Sequence, residues 1–365
     1  MHQMKQLRAA AVAVVPALIG IAFTGLTGCH APGQPSANRA AGSRDARTLR
    51  IGYQKGATLN VLRLRGDLER RLAPLNIKVV WLDFPAGPQM LEALGVDSID
   101  LASTGDAPAI FAQAAGLPIV YIANSPPALN GQDRAILVPA NSPIRTVADL
   151  RGKRVAIQKG SGTHNFLIQA LQKAGVDYKD ITPVYLSPPD ARPAFQSGSV
   201  DAWAIWEPFL SIAQQATGAR TLVDGKGIVS AGGFYLSSQT FARAHADWLR
   251  IALEEIETTG RWSSEHPRAA AELLAPGVGL NVDLLEQIQK RATPPGQRYV
   301  AYRPIDARVM SDQQTVADIF YRIGLLPHRV NVGAGLLTPQ EYAGLTPQRH
   351  VRREAQSFQE GSAGQ

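Results

Sequence analysis

The hydrophobic positions of this chain form short apolar runs separated by amphipathic stretches, and the alternation restarts partway along. Residues 49–53 make a short apolar strand, followed by a turn at Gln54-Lys55-Gly56 and a helical stretch to about Leu72. Residues 77–82 form a second strand. In 87–94 Met90, Leu91 and Leu94 share one helical face; 99–102 is a third strand and 107–115 a helix. The runs 119–123 and 135–138 are apolar enough for buried strands. The pattern then begins again: strand 154–158, helix 165–174 stopped by Gly175, strand 181–186, helix 190–197, strand 200–206, and a helix opened by Glu207-Pro208. Short strands follow at 221–223 and 234–237, and from about Thr240 the chain is largely helical. This order predicts an α/β protein of two lobes with mainly parallel sheets covered on both faces. The chain is expected to cross between the lobes near 134–141 and near 230–235, where Gly232-Gly233 suits a hinge or a turn. The lobes then comprise 48–134 with the helical 233–340, and 135–232, leaving 341–365 as a polar tail.

The first 28 residues stand apart. Lys5 and Arg8 precede an uncharged apolar run that ends in small residues, a signal-peptide layout too short for a membrane span. Leu26-Thr27-Gly28-Cys29 resembles a bacterial lipobox, whose cysteine would carry acyl chains and anchor the protein to a membrane surface. Residues 30–47 are rich in Pro, Gly, Ser, Ala, Asn and Arg, a flexible tether that spans roughly 25 Å. The expected location is therefore periplasmic or cell-surface, lipid-anchored.

Composition narrows the chemistry. Cys29 is the only cysteine, so the body has no disulfide and no thiol nucleophile. The seven histidines are scattered without metal-ligand spacing, and no metal or cofactor is expected. The formal charge of +7 becomes +5 once residues 1–28 are removed, a modest field that suits small anions. The basic residues are not massed on one face, which argues against nucleic acid.

Four strand-to-helix turns have residues suited to a ligand site beyond the carboxyl ends of the strands. They are Tyr53-Gln54-Lys55-Gly56, Ser103-Thr104-Gly105-Asp106, Ser161-Gly162-Thr163-His164 and Trp206-Glu207-Pro208. Two belong to each lobe, so closure of a cleft would bring them together. Helix N-termini present N–H groups and partial positive charge, and glycines let the backbone approach closely. Ser103, Thr104, Ser161, Thr163 and Gln54 add neutral donors. Such a shell fits a permanently ionised group such as a sulfonate better than a phosphate, which also brings a proton to donate. Local alternatives stay open. Asp106 suits a helix cap, His164 either holds the ligand or packs against its turn, and one of Trp203 and Trp206 belongs to the core. Glu207 suits a cap, a salt bridge or an amine on the ligand.

At these turns the chain resembles the aliphatic sulfonate-binding proteins of ABC importers. The blocks that carry the resemblance are Ile51-Gly52-Tyr53-Gln54-Lys55-Gly56, the run from Phe84 to Leu94, Ser103 to Asp106, Phe111 to Gly116, Val147 to Lys153, Gln158 to Ser161 with His164-Asn165, and Asp201 to Trp206. Together they extend from about Leu49 to Pro339. The resemblance implies a type II periplasmic-binding fold, a monomer that closes on an alkanesulfonate and delivers it to a permease and its ATPase. It implies pocket roles for Gln54, the Ser103–Asp106 turn, the Gly162–His164 turn and the Trp206–Glu207 turn. Two features depart from the family. Gly162-Thr163 replaces a serine-rich turn, and most relatives lack a lipobox. Taurine or nitrate is the alternative ligand class, and a sensor or a cofactor-free enzyme using His164, Asp106 or Glu207 is the alternative function. Gly162 and Gly233 are expected to leave room for a ligand tail.

Overall fold

The start of the folded body is set by Leu49 and Ile51, which alternate with polar residues and are fully buried in strand β1 (Thr48–Tyr53). The computed structural model describes residues 47–127, 131–229, 232–292 and 300–345. The expected signal peptide, Cys29, the tether up to residue 46 and the tail from 346 onward lie outside the described residues.

Nine further strands follow among the described residues: β2 (Lys78–Asp83), β3 (Leu101–Gly105), β4 (Ile119–Ser125), β5 (Arg134–Val138), β6 (Arg154–Ile157), β7 (Thr182–Tyr185), β8 (Ala202–Trp206), β9 (Arg220–Asp224) and β10 (Gly233–Ser238). They form two five-stranded sheets, ordered β2-β1-β3-β10-β4 and β7-β6-β8-β5-β9. Each is mainly parallel. The exceptions are β10 in the first sheet and β5 in the second, both antiparallel to their neighbours. Both faces of each sheet are covered. In the first lobe, Leu62, Leu68, Leu249 and Ile256 pack one face, and Met90, Leu94, Ala109 and Phe234 the other. In the second, Phe166, Leu167 and Leu171 lie on one side, Phe195, Trp203 and Leu210 on the other. Each of the Leu, Ile, Met and Phe side chains contributes about 1.5–3 kcal/mol on burial. The long helix Ala246–Glu265 turns a stripe of Trp248, Leu249, Ala252, Leu253 and Ile256 to the first core.

Several boundaries differ from the sequence expectation, each for a nonlocal reason. Strand β3 runs on through Ser103, Thr104 and Gly105 because β10 pairs with them, Tyr235 opposite Ser103 and Gly233 opposite Gly105. The helix expected from Asn165 begins at Gly162, because the Ser161 hydroxyl accepts the His164 N–H at 3.1 Å and caps it there. The first passage between sheets falls between Ser125 and Arg134, earlier than the expected 134–141, since Arg134 already pairs with Trp206. The second falls between Asp224 and Gly233. The region 341–345 is part of a helix, Pro339–Leu345, whose Leu345 is buried and whose Tyr342 hydroxyl donates to the Tyr121 carbonyl at 2.7 Å. Gly233 does not open space for a tail. A Cβ there would stand 2.4 Å from the Thr104 carbonyl oxygen, so its smallness serves close strand packing.

Candidate functional site: the cleft between the lobes

Two helices, Asp106–Ala114 from the first lobe and Gly162–Lys173 from the second, begin at the line where the lobes meet. Their starts almost touch: a Cβ on Gly105 would lie 3.1 Å from the Gly162 Cα. A Cβ on Gly105 would crowd that approach, and one on Gly162 would press on Asp106 Oδ1 at 3.0 Å. The first N–H groups of each helix have no acceptor within the helix and carry partial positive charge. The cavity beside them measures about 160 Å³ and is walled by Gln54, Ser103, Thr104, Gly105, Ser161, Gly162, Thr163 and Trp206. Eight of the expected site residues therefore do converge. Gln54 is steered by its amide, which donates to the Ser103 carbonyl at 3.2 Å.

The sequence reading missed Arg134. Its side chain heads the otherwise apolar strand β5, is only 10% exposed, and lines the same cavity. Asp133 grips it from one side, with Nε to Oδ1 at 3.0 Å and Nη2 to Oδ2 at 2.9 Å. Nη1 faces the second helix, 3.3 Å from where a Gly162 Cβ would stand. Burial opposes the guanidinium charge, but the carboxylates of Asp133 and Asp106 outweigh it and hold the pKa above its ordinary value. The signal was present in the sequence as an Asp-Arg pair ahead of a wholly apolar run.

Three of the expected residues sit elsewhere. Asp106 is fully buried behind the cavity wall and ties the lobes together, one oxygen accepting from the Ala107 N–H at 2.7 Å and the other from the Asn165 amide at 2.6 Å. Burial pushes its carboxyl up to about 6, with Arg134 and Asn165 opposing. His164 is equally buried but turned away from the cavity. Its Nδ1 accepts the Gly160 N–H at 3.1 Å, and its Nε2 lies 2.8 Å from the Tyr178 hydroxyl. Since Nδ1 accepts, the proton is on Nε2. Burial, then Lys159, lower its pKa to about 3, so the ring is neutral and packs edge-on to Phe320. Of its two open readings, the geometry matches packing. Glu207 borders a second cavity of about 290 Å³ that shares Gln54, Ala57, Ser103, Asp133 and Trp206 with the first. The two spaces form one cleft with a polar head and a roomier extension.

Among the described residues no group of three metal-ligating side chains comes together, and no helix is long and apolar enough to cross a membrane. What the head of the cleft offers is one buried cation, two helix starts and several hydroxyl and amide donors, an arrangement for holding an anion.

Known proteins share this build. Residues 76–270 match the family described as NMT1/THI5 like. An aliphatic sulfonates-binding protein of Escherichia coli (strain K12) is 43% identical over 81% of this chain and 90% of its own. One from Bacillus subtilis (strain 168) is 32% identical over 88% of this chain and 91% of its own. The alkanesulfonate-binding protein of Xanthomonas axonopodis pv. citri, solved with MOPS bound, superposes with a TM-score of 0.75 at 41% identity, covering 80% of this chain and 98% of that one. The fold is thus the two-lobed α/β fold of periplasmic binding proteins, and the named relatives are binding proteins. The chain belongs to the NMT1/THI5-like family and, within it, to the group of aliphatic sulfonates-binding proteins.

Proposed function

We propose that this protein is the extracytoplasmic solute-binding component of an ABC importer and that its cleft closes on aliphatic sulfonates. The observation that carries the reading is the buried Arg134 guanidinium set among two opposed helix starts at the head of the cleft. A sulfonate presents three acceptor oxygens and no donor at any ordinary pH, which matches walls made of N–H and O–H donors. Arg134 Nη1 would take one oxygen, the N–H groups of Gly162 and Thr163 another, and the hydroxyls of Ser103, Thr104 and Ser161 with the Gln54 amide the remainder. Asp133 keeps Arg134 aimed, and Asp106 with Asn165 joins the lobes behind the ligand. Trp206 closes the side of the cleft toward the larger cavity.

On this reading the protein traps its ligand and transforms nothing. Its single cysteine precedes the folded body, and His164 is neutral and faces away from the cleft. Lipidation at Cys29 and the tether that follows would hold the body near its permease.

Calorimetric titration of the mature chain with ethanesulfonate, octanesulfonate, taurine, sulfate, phosphate and nitrate tests the reading. One-to-one binding of sulfonates, with sulfate and phosphate far weaker, is expected. Binding of nitrate alone would keep the fold and overturn the ligand. Silence toward every member would remove the sulfonate reading.

A further inference from the structure

The turn that carries Gly162 and Thr163 to the head of the cleft is held from behind by a side chain that does not line the cavity. His164 meets this turn twice. Its backbone N–H donates to the Ser161 hydroxyl at 3.1 Å, and its ring Nδ1 accepts the Gly160 N–H, also at 3.1 Å. Gly160 lies in the left-handed region at φ +72°, in the bend between β6 and the helix Gly162–Lys173. Its N–H is buried, so loss of the imidazole acceptor would leave that donor desolvated and unpaired. The clamp leaves the N–H groups of Gly162 and Thr163, which have no acceptor within the helix, beside the cavity that these residues line. The other lobe closes the back. Phe320 of the helix Ala307–Arg322 is edge-on to the imidazole at 5.3 Å, and Phe111 lies under Gly160, where a Cβ would stand 3.1 Å from its Cγ.

The imidazole can hold Gly160 in one form only. An acceptor at Nδ1 requires the proton on Nε2, and a proton there needs an acceptor of its own. Tyr178 supplies it: its hydroxyl lies 2.8 Å from Nε2 and 3.2 Å from the hydroxyl of Tyr185, which stands 42% exposed at the end of β7. Resting on the sulfonate reading above, we propose that His164 is a positioning residue for anion binding. Through Nδ1 it keeps the Gly160–Thr163 turn in the shape that presents the Gly162 and Thr163 N–H groups, and Tyr178 fixes the tautomer that makes this possible. Neither side chain touches the ligand. A ring that served packing alone could be replaced by any side chain of like volume, whereas here the identity of one acceptor atom decides the outcome.

His164→Asn and His164→Gln separate the two ring positions. Asparagine puts its amide oxygen near the place of Nδ1 and keeps an acceptor for Gly160; glutamine reaches past it, toward the place of Nε2 and Tyr178. Titrated with ethanesulfonate by calorimetry, the mature chain should lose at least about tenfold in affinity on His164→Gln and stay within about threefold on His164→Asn. A merely structural ring would shift the melting temperatures and leave both affinities at the parent's value. Equal affinities in the two variants, whether kept or lost, overturn the proposal. Tyr178→Phe should weaken binding by about threefold or more, and unchanged affinity overturns the part given to Tyr178. If the variants do not fold, the unaltered protein still decides: long-range proton–nitrogen NMR spectra should show His164 with its proton on Nε2, and a proton on Nδ1 overturns the proposal. Failure of the unaltered chain to bind ethanesulfonate overturns the underlying sulfonate reading instead, so the two failures are distinguishable.

Discussion

Replacing Asp106 with asparagine should change how stability depends on pH, by an amount the structure allows to be worked out. Asp106 is buried at the junction of the lobes, and desolvation pushes its carboxyl up from 3.8 to about 6, against the pull of Arg134, Asn165 and the local backbone. A carboxyl with a raised pKa binds its proton more tightly in the fold than in the unfolded chain. Its contribution is therefore fully present only below the unfolded value of 3.8, falls as pH rises through about 6, and levels off above about 7. A tenfold change in proton affinity is worth about 1.4 kcal/mol, so the gap between 3.8 and about 6 amounts to about 3 kcal/mol over that window. The asparagine side chain has no such proton to lose. Urea melts of the ligand-free protein and of Asp106→Asn from pH 4 to 8 give two curves, and their difference removes every other titrating group. The difference should move by about 2 kcal/mol or slightly more in favour of the variant as pH rises from 4 to 7, the rest of the span lying below pH 4, and then stay level. A difference that is flat across the range would show that the carboxyl titrates alike in both states. The inference that burial outweighs Arg134 and Asn165 would then be wrong.

Three further outcomes follow from the cleft. Arg134→Met should lower sulfonate affinity by about 2–5 kcal/mol, at least about 30-fold, because it removes the cation and strands Asp133; titration calorimetry reads it, and a loss under threefold would refute the assignment. Gly162→Val places a Cβ 3.0 Å from Asp106 Oδ1 and 3.3 Å from Arg134 Nη1, so sulfonate affinity should fall about five- to hundredfold as closure is obstructed. Unchanged affinity would separate this helix start from the site. Cys29→Ala should move the protein from the membrane to the soluble fraction of fractionated cells, and continued membrane association would rule out acylation as the anchor.

Much of this fold was legible because its signals are local. Apolar runs bounded by Gly and polar turns mark β1, β5 and β8, whereas the helix expected from Asn165 starts three residues earlier, at Gly162 behind its Ser161 cap. What was not legible depends on pairing between distant segments. The extension of β3 through Ser103–Gly105 is imposed by β10, more than a hundred residues later. Gly233 looked like space, yet it is a contact with Thr104, and sequence alone does not distinguish the two uses of a missing Cβ. His164 lay in a promising motif, but its orientation is fixed by Tyr178 and by Phe320, from a helix near the end of the described body. Arg134 was passed over for the opposite reason. It lies in no glycine-rich turn, and its importance comes from the burial of its strand and from Asp133 beside it.

The position of β10 also governs the order in which this molecule can assemble. All five strands of the second sheet come from the continuous stretch between Arg134 and Asp224. The first sheet instead has its fourth strand supplied by Gly233–Ser238, wedged between β3 and β4. A chain emerging from its amino end can complete the second sheet while the first is still split, with the facing edges of β3 and β4 unjoined. The lobe that begins first is thus finished last, and its closing step waits on contacts far apart in sequence, which form slowly. Any truncation before Ser238 would leave that sheet open at its centre.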